Sequence, residues 1–444
     1  MPNKTRKHRM SSFQTIITGF AVLIIAGTLL LMLPVSSTDR TPSGFSDAVF
    51  TATSAVCVTG LVALPTAVHW SLFGQVVILL LIQAGGLGVV TVAASFALIS
   101  GRKISVIQRD TIQEAISAQK TSGVVRLIVF ILKVTLAAEF TGALIMMPVF
   151  CRAYGARGIW VSVFHAVSAF CNAGFDLTGT PGAEFVSLSG FAANPVVNLV
   201  IIFLIVFGGI GFLTWEDIRA QKFRLPRYSM QSKVILTVTG ILITFPALLF
   251  FFLEFRDLPL GERVLASLFQ SVTPRTAGFN TESLNDMSGA GKLVTIALMF
   301  IGGAPGSTAG GMKVTTAAVL FANARAVFAR HEDVRLFDRR IPEQAIRNAS
   351  TIFLLDIVLT VTGAAVISSY ENIPFQSCLY EAVSAVGTVG LSLGITPHLH
   401  FLSRCVLMFL MFFGRVGGLT VIYAAISGRN ISGMRYPLGQ ITTG

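Results

Sequence analysis

A short motif that ends in glycine recurs four times along the chain, and this recurrence constrains the fold more than any other feature. Three copies, at 54–61, 168–175 and 384–391, open on serine and close on glycine followed by Leu or Phe. A looser copy occupies 272–279. Self-similarity at a roughly constant period is typical of repeat architectures. The sequence therefore predicts four diverged copies of one structural unit.

The composition indicates an integral membrane protein with short loops. Hydrophobic residues make up 53% of the chain and charged residues 12%, whereas soluble domains carry roughly 25% charged residues. The basic start of the chain leads into a long apolar run without a clear cleavage site, so no cleaved signal peptide is expected. The five cysteines are an odd number and lie mostly in or beside apolar segments, which argues against a disulfide framework.

Each unit contains two apolar spans separated by a short segment that ends in the glycine motif. The first spans lie near 13–33, 125–150, 234–253 and 348–368, and the second near 73–99, 195–214, 292–329 and 403–427. Most reach the ~20 residues needed to cross a bilayer. The segments between them, such as 44–56 and 159–170, are too short to cross. Backbone that enters a membrane and returns must be covered by protein or line a cavity.

The predicted fold is an all-α polytopic membrane protein. Four M1–P–M2 repeats would supply eight transmembrane helices and four re-entrant pore helices around one pseudo-fourfold pore. The predicted units are 1–100, 101–220, 221–340, with a broken second span, and 341–444, with a C-terminal tail. One unit cannot bury its own re-entrant segment, but four units around an axis can.

The net charge of +12 is placed in a way that indicates membrane orientation rather than nucleic-acid binding. Most basic residues lie at the termini and between the units: Lys4, Arg6, Lys7, Arg9, Arg102, Lys103, Arg109, Lys120, Arg126, Arg219, Lys222, Arg224, Arg227, Lys233, Arg325, Arg330, Arg335, Arg339, Arg340, Arg347, Arg429 and Arg435. Loops beside the re-entrant segments hold few. The positive-inside rule then predicts cytoplasmic termini, cytoplasmic linkers and pore helices that enter from outside.

The four closing glycines, Gly60, Gly174, Gly278 and Gly390, suit a cation site. A short helix entering from outside directs the negative end of its dipole at the membrane centre. Glycine then allows backbone angles that can aim carbonyl oxygens at an axis, and rings of carbonyls replace the water shell of a cation. The motifs contain no carboxylate, which favours a monovalent ion. The alternative is four glycines that only let helices pack closely.

Two glycine clusters inside the second spans, at 85–88 and 208–211, are interpreted as helix-packing residues. They lack the preceding strand that a dinucleotide-binding fingerprint requires.

The span 292–329 is too long for one crossing, because its helix would reach ~57 Å. Its middle is rich in glycine and contains Pro305, both of which break helices. We expect a half-helix to about Gly303, a loop at 304–312 and a second helix from about Lys313. The loop is interpreted as a gate below the glycines, the alternative being a kink needed only for packing.

Isolated charges inside the spans invite a functional or a structural interpretation. Arg415 lies near the centre of 403–427, so it should face the interior, as a barrier or latch or as a partner for backbone carbonyls. Lys313 is a similar case but could extend to the cytoplasm. Glu139 and Asp356 are interpreted as hydrogen-bonding groups between helices, and His165 as a structural residue.

At these motifs the chain resembles the Trk/Ktr/HKT potassium-uptake superfamily, most closely the ion-conducting membrane subunit of the bacterial Ktr type, KtrB. The residues that carry the resemblance are the stretches 53–61, 170–175, 275–280 and 387–391 and the intramembrane stretch 302–311. The likeness covers nearly the whole chain.

The resemblance implies a selectivity filter and a gate at named positions. The filter would comprise Cys57, Val58, Thr59, Gly60, Cys171, Asn172, Ala173, Gly174, Thr276, Ala277, Gly278, Gly387, Thr388, Val389 and Gly390. K⁺ would lie against the backbone carbonyls of Val58, Thr59, Asn172, Ala173, Thr276, Ala277, Thr388 and Val389. The gate would comprise Gly302, Gly303, Ala304, Pro305, Gly306, Ser307, Thr308, Ala309, Gly310, Gly311, Lys313 and Arg415.

The resemblance also implies partners. We expect a homodimer in the cell membrane, resting on a cytosolic ring of nucleotide-binding regulatory subunits of the KtrA type. ATP or ADP would bind to that ring and not to this chain, which would carry K⁺ and no covalent cofactor. Glycine at position 60 favours K⁺, because serine there goes with Na⁺ preference in some plant relatives. The third motif departs slightly, since Phe269 precedes its glycine by one residue fewer than Phe50, Phe164 and Tyr380 precede theirs.

Two other functions, a coupled transporter and an enzyme, are less consistent with the sequence. A secondary transporter coupled to Na⁺ or H⁺ would use an intramembrane carboxylate, Glu139 or Asp356, at a midplane site. Four matching re-entrant motifs favour a pore instead. An enzyme finds no support, because no nucleophile motif or metal-ligand set is apparent.

Overall fold

The computed structural model describes residues 11–100, 111–114, 123–222 and 224–426. Ten of the basic residues used to predict orientation lie outside these ranges: Lys4, Arg6, Lys7, Arg9, Arg102, Lys103, Arg109, Lys120, Arg429 and Arg435.

Nearly all of the regular secondary structure in the described chain is helical. Its main elements, in order, are α1 Ser12–Leu31, α2 Phe45–Val56, α3 Thr66–His69, α4 Leu72–Leu87, α5 Val89–Ile99, α6 Val124–Tyr154, α7 Arg157–Phe170, α8 Pro195–Gly209, α9 Phe212–Gln221, α10 Met230–Leu249, α11 Leu260–Val272, α12 Gly289–Phe300, α13 Val314–Phe328, β1 Arg335–Leu336, β2 Arg339–Arg340, α14 Glu343–Glu371, α15 Phe375–Val386, α16 Phe401–Val416 and α17 Gly418–Ile426.

Four long helices, α1, α6, α10 and α14, form the first span of each repeat. Within the described ranges each is long and apolar enough to cross a membrane, and a π-helical turn extends α10 to Glu254. The start of α1 is set by a capping box: the Ser11 hydroxyl accepts from the Gln14 backbone N–H while the Gln14 side chain accepts from the Ser11 N–H. Many of their apolar side chains face outward, as at Leu29, where lipid can cover them.

Four short helices, α2, α7, α11 and α15, form the re-entrant segments. They contain 12, 14, 13 and 12 residues, so each is about 20 Å long and too short to cross a bilayer. Their C-terminal halves are almost completely buried, as expected for segments covered by the long helices. The expected M1–P–M2 pattern is therefore confirmed.

The second spans of the first, second and fourth repeats are interrupted too, whereas the sequence predicted a break only in the third. The α4–α5 pair bends by 98° and the α8–α9 pair by 95°, so the described chain has four spans by length and composition, or six with these pairs counted. The bends fall at Gly88 and Gly211, whose φ angles of +85° and +91° suit glycine. Gly417, between α16 and α17, has φ +91°.

The packing interpretation of the glycine clusters is therefore right for some members and wrong for others. A Cβ added to Gly85 would overlap the Val56 carbonyl, and one added to Gly208 would overlap the Phe170 carbonyl. These glycines let the second spans lie directly against the ends of the short helices. Gly88 and Gly211 instead turn the chain.

The second span of the third repeat is divided into α12 and α13. The segment 301–313 between them has no helix, and Ile301 and Met312 form a parallel bridge that brings its two ends together. Helix α12 ends at Phe300, three residues before the expected end at Gly303, and α13 begins at Val314, one residue after the expected start at Lys313.

Two features were not foreseen. A small antiparallel hairpin, β1–β2, precedes α14, with Arg335 opposite Arg340. The apolar cores also cross repeat boundaries: Phe50 and Leu61 of the first repeat pack in one cluster with Leu407 of the fourth. The repeats are therefore joined through their buried faces as well as by the chain.

Candidate functional site

The four closing glycines meet in a closed ring. A Cβ added to Gly60 would lie 3.1 Å from the Gly174 Cα, and one added to Gly174 would lie 3.0 Å from the Gly278 Cα. One added to Gly278 would lie 3.1 Å from the Gly390 Cα, and one added to Gly390 would lie 3.0 Å from the Gly60 Cα. Each repeat thus contacts the next, and the fourth returns to the first.

Carbonyl groups alternate with the glycines around this ring. A Cβ added to Gly60 would collide with the Ala173 carbonyl oxygen, and one added to Gly174 with that of Ala277. A Cβ added to Gly278 would collide with the Val389 carbonyl oxygen, and one added to Gly390 with that of Thr59. Each of these is the residue just before the glycine of the neighbouring repeat. No side chain larger than hydrogen fits at any of the four positions, so glycine is required there by the close approach of backbone from the next repeat.

The backbone of each motif alternates in handedness. The residue two before each glycine is left-handed, with φ +55° at Val58, +59° at Asn172, +70° at Thr276 and +50° at Thr388. The glycines are left-handed too, with φ values of +88°, +67°, +78° and +93° along the chain. The intervening residues are not. Such alternation turns successive carbonyls toward the same side of an extended strand, which suits a row of cation ligands.

Hydroxyl groups at the ends of the short helices hold these strands in place. The Ser54 and Ser384 hydroxyls accept from the N–H groups of Gly60 and Gly390, both at 3.0 Å. In the other two repeats the hydroxyl donates to the carbonyl after the glycine, from Ser168 to Phe175 at 2.8 Å and from Thr273 to Phe279 at 2.5 Å. The first and fourth repeats, which are neighbours in the ring, therefore share one arrangement, and the second and third repeats share the other.

The remaining predicted filter residues surround this ring. Cys57, Cys171 and Gly387 are the C-terminal caps of α2, α7 and α15. The Asn172 and Thr276 side chains share a hydrogen bond at 3.2 Å, which joins the second and third strands. The whole set of predicted filter positions thus lies on four adjacent buried strands.

The third motif departs as its sequence indicates. Helix α11 ends at Val272, six residues before its glycine, whereas α2, α7 and α15 end four residues before theirs. The left-handed residue is nevertheless two before the glycine, at Thr276. The one-residue difference in spacing is therefore accommodated where α11 ends, and the left-handed residues keep the same positions in the strand as in the other repeats.

The segment 301–313 lies against the strands on the side where the short helices end. A Cβ added to Gly311 would lie 2.9 Å from the Gly387 Cα, and one added to Gly302 would lie 3.2 Å from Thr276 Cγ2. One added to Gly310 would collide with the Thr388 side chain. The glycine content of the segment thus permits close contact with the third and fourth strands.

Hydrogen bonds tie this segment to four helices, α7, α8, α9 and α16. The N–H groups of Ala304 and Gly311 donate to the carbonyls of Gly209 and Gly414 at 2.8 and 3.1 Å, and the Phe212 N–H donates to the Gly306 carbonyl at 2.8 Å. The Thr308 hydroxyl donates to the Phe170 carbonyl at 3.0 Å. Ser307 bonds within the segment, to the Ala304 carbonyl at 2.6 Å.

The two predicted gate cations also contact backbone carbonyls. The Arg415 guanidinium donates to the carbonyls of Thr308, Gly85 and Gly86, the last at 2.9 Å. Lys313 Nζ donates to the Ala309 carbonyl at 2.7 Å instead of extending away from the segment. Arg415 therefore bridges the segment to the end of α4.

The predicted intramembrane carboxylates lie away from the strands. Glu139 on α6 accepts from the Gln83 amide at 3.4 Å, while its second oxygen has no partner in the described part of the chain. Asp356 on α14 lines a cavity of about 340 Å³ together with Lys313 and Arg415. The two acids are therefore not brought together in one site.

His165 is a buried packing residue of α7. Its Nδ1 contacts the Val161 carbonyl at 2.8 Å, and its ring stacks on Phe150 with centroids 5.2 Å apart. Among the described residues there is no group of three or more His, Cys, Asp or Glu side chains that could hold a metal ion.

Sequence reasoning missed three charged residues beside the strands. Glu381 on α15 is fully buried and accepts from the Thr396 hydroxyl at 2.9 Å. Arg404 on α16 pairs with Asp47 on α2 at 2.6 Å, which links the fourth repeat to the first. Arg275 precedes the third strand and is 4% exposed. Alignment of the four motifs places Arg275 at the position of Cys57 and Cys171. A charged residue where the other copies are neutral could have identified Arg275 from the sequence.

Comparison with known proteins agrees with this arrangement. A family model described as "TrkH: Cation transport protein" matches residues 2–432. Because that match covers nearly all of the chain, the chain belongs to this family of cation transport proteins. The resemblance found in the motifs is confirmed, and the protein is a membrane transporter and not an enzyme.

Individual relatives match over their whole length. The chain is 41% identical to the potassium/sodium uptake protein NtpJ of Enterococcus hirae, over 100% of this chain and 99% of the relative. It is 37% identical to the Ktr system potassium uptake protein B of Bacillus subtilis, over 98% and 97%. The crystal structure of the potassium transporter TrkH from Vibrio parahaemolyticus aligns with a TM-score of 0.73 over 95% of this chain and 86% of that one. At 18% identity this last likeness shows the fold alone.

Proposed function

We propose that the chain takes up potassium ions through a gated, carbonyl-lined filter formed by the four glycine strands. The observation that carries this proposal is the closed ring of four glycines. In it, each glycine lies against the carbonyl of the residue that precedes the glycine of the next repeat. A ring of backbone carbonyls can replace the hydration shell of a monovalent cation. K⁺ would lie against the carbonyls of residues 58–59, 172–173, 276–277 and 388–389. The name of the relative from Bacillus subtilis, a potassium uptake protein, supports the same ion, and the name of the relative from Enterococcus hirae gives both potassium and sodium.

The short helices supply the attraction that such a filter needs. All four end next to their strands, so the negative ends of their dipoles converge on the ring. An ion can then be held without any carboxylate on the strands, and none is present there. Divalent ions are usually held by carboxylates, so this chemistry favours a monovalent ion.

The segment 301–313, with Lys313 and Arg415, is proposed as the gate. It lies directly against the third and fourth strands, and Arg415 fixes it by donating to the Thr308 carbonyl. An ion leaving the strands on this side would meet both backbone and positive charge. Opening would require the segment to part from Gly209 and Gly414.

The proposed setting is a homodimer in the cell membrane, with both termini cytoplasmic and a cytosolic nucleotide-binding subunit bound to the cytoplasmic face. The basic stretch 335–347 is the proposed docking region. Part of its charge is engaged within the chain, because Arg340 pairs with Asp333 at 2.8 Å and Arg347 with Glu343 at 2.6 Å. Arg335, which also lies 3.8 Å from Asp333, and Arg339 are both exposed. Arg335→Gln with Arg339→Gln should reduce co-purification of the partner, and unchanged co-purification would remove the docking role.

The function is tested with purified protein in liposomes. K⁺ uptake is measured down a K⁺ gradient, with no Na⁺ or H⁺ gradient, and Na⁺ uptake is measured under matched conditions. We expect sustained K⁺ uptake that exceeds Na⁺ uptake. K⁺ movement that stops without a second ion gradient would favour the alternative, a coupled transporter that uses Glu139 or Asp356.

A further inference from the structure

A buried arginine lies behind the third filter strand, where the other repeats have neutral residues. Arg275 is three residues before Gly278, the position held by Cys57, Cys171 and Gly387 in the other repeats. Arg275 is 4% exposed. The backbone of the ring therefore repeats four times, but at this position only the third repeat carries a charged side chain.

The guanidinium has few partners. Its Nη2 donates to the Thr239 hydroxyl on α10 at 3.3 Å, and its Nε is buried without a partner in the described chain. The five ion pairs found among the described residues involve other groups, so no carboxylate there neutralises Arg275. A buried charge left without an opposite charge acts strongly on its surroundings, because the interior screens it poorly.

The charge also opposes the field of its own helix. Helix α11 ends at Val272, and the Arg275 N–H donates to the Val272 carbonyl at 3.0 Å. A helix C-terminus carries about half a negative charge. The Arg275 side chain carries a full positive charge, which opposes the attraction of this helix end for a cation.

We propose that Arg275 weakens the hold of the filter on K⁺ and so sets the ion concentration at which uptake is half-maximal. The proposal rests on the proposed filter function. Conduction needs binding that is strong enough for entry and weak enough for release. The side chain reaches toward Thr239 on α10, and we take the separation between its charge and an ion on the axis as about 10 Å. At that distance and an effective dielectric constant of about 20, removing the charge should strengthen K⁺ binding roughly tenfold.

Two substitutions separate the charge from the shape of the side chain. Arg275→Met removes the charge and keeps most of the length, and Arg275→Lys keeps the charge. K⁺ uptake into liposomes is measured over a range of K⁺ concentrations. We expect the half-saturating concentration to fall roughly tenfold in Arg275→Met, with a lower maximal rate, and to change little in Arg275→Lys. Arg263→Met is the matched control on the other end of α11, where Arg263 donates to the Phe251 carbonyl at 2.8 Å.

A third variant guards against misfolding of Arg275→Met. Thr239→Asp places a carboxylate beside the intact guanidinium and neutralises its charge, so the half-saturating concentration should fall again. If folded Arg275→Met and Thr239→Asp both keep the original value, or if Arg275→Lys behaves like Arg275→Met, the electrostatic role is refuted. Failure of the unmodified protein to prefer K⁺ would instead refute the filter itself, so the two outcomes are distinguishable.

Discussion

Serine in place of Gly60 tests the filter ring most directly. The added Cβ would lie 3.2 Å from the Ala173 carbonyl carbon and collide with the attached oxygen. Ordinary contacts begin at 3.4 Å, so the Ala173 peptide must retreat from the ring. The left-handed φ of +88° adds strain of about 1–2 kcal/mol. A displaced carbonyl that changes relative ion binding by about 1.4 kcal/mol alters selectivity tenfold.

We therefore expect Gly60→Ser to lower the ratio of K⁺ to Na⁺ uptake roughly tenfold. The assay is competitive uptake of the two ions into liposomes, with thermal unfolding in detergent to report stability. Gly394→Ser is the matched control, because Gly394 has a similar φ of +86° with no atom within 4 Å of its added Cβ. This control should lose about the same stability and keep the uptake ratio.

Two results would refute this reasoning. An unchanged ratio in well-folded Gly60→Ser protein would mean that Gly60 does not line the ion path. An equal loss of selectivity in Gly394→Ser would mean that backbone strain, and not crowding of a carbonyl, caused the effect.

Charged groups away from the glycine ring give three further tests. Arg415→Ala removes hydrogen bonds from a charged donor, each worth about 1.5–3 kcal/mol, and should raise K⁺ flux roughly tenfold; normal flux in folded, dimeric protein would exclude a latch. A cysteine replacing Arg227 should react with an impermeant reagent only from the cytoplasm, and one replacing Arg157 only from outside; the reverse pattern would overturn the orientation. Glu139→Gln keeps a partner for Gln83 and should leave uptake within about twofold, whereas loss of uptake would favour a coupled transporter.

Much of the fold could be predicted because its causes are local in sequence. Apolar length defined the four outer helices, and the recurring glycines located the four strands. The short helix α11 was expected to end differently because Phe269 is one residue closer to its glycine, and it does. Three contacts of the ring join residues roughly 100 positions apart, and the contact that closes it joins Gly390 to Gly60 from the two ends of the chain. Repetition implied these contacts, but no single repeat contains them.

The remaining features depend on tertiary contacts. The bends near 95° and 98° follow from left-handed glycines, and glycine in an apolar run is equally compatible with a straight helix. The exposed hairpin is held partly by the pairing of Arg340 with Asp333, in a linker that lacks a strong strand pattern. For Arg415, the sequence predicted the type of partner, a backbone carbonyl. It could not predict which carbonyls, because Gly85 and Gly86 lie on a helix distant in sequence.

The many attachments of segment 301–313 have a consequence for how often a pore of this kind would conduct. The bonds to Gly209, Gly414, Phe212 and Phe170 join it to four separate helices. Each such bond contributes about 1 kcal/mol, so displacing the whole segment costs several kcal/mol. An opening cost of about 4 kcal/mol leaves roughly one molecule in a thousand open at any moment. The resting protein would then leak very little, and an activating partner would have to bind the open form far more tightly than the closed one.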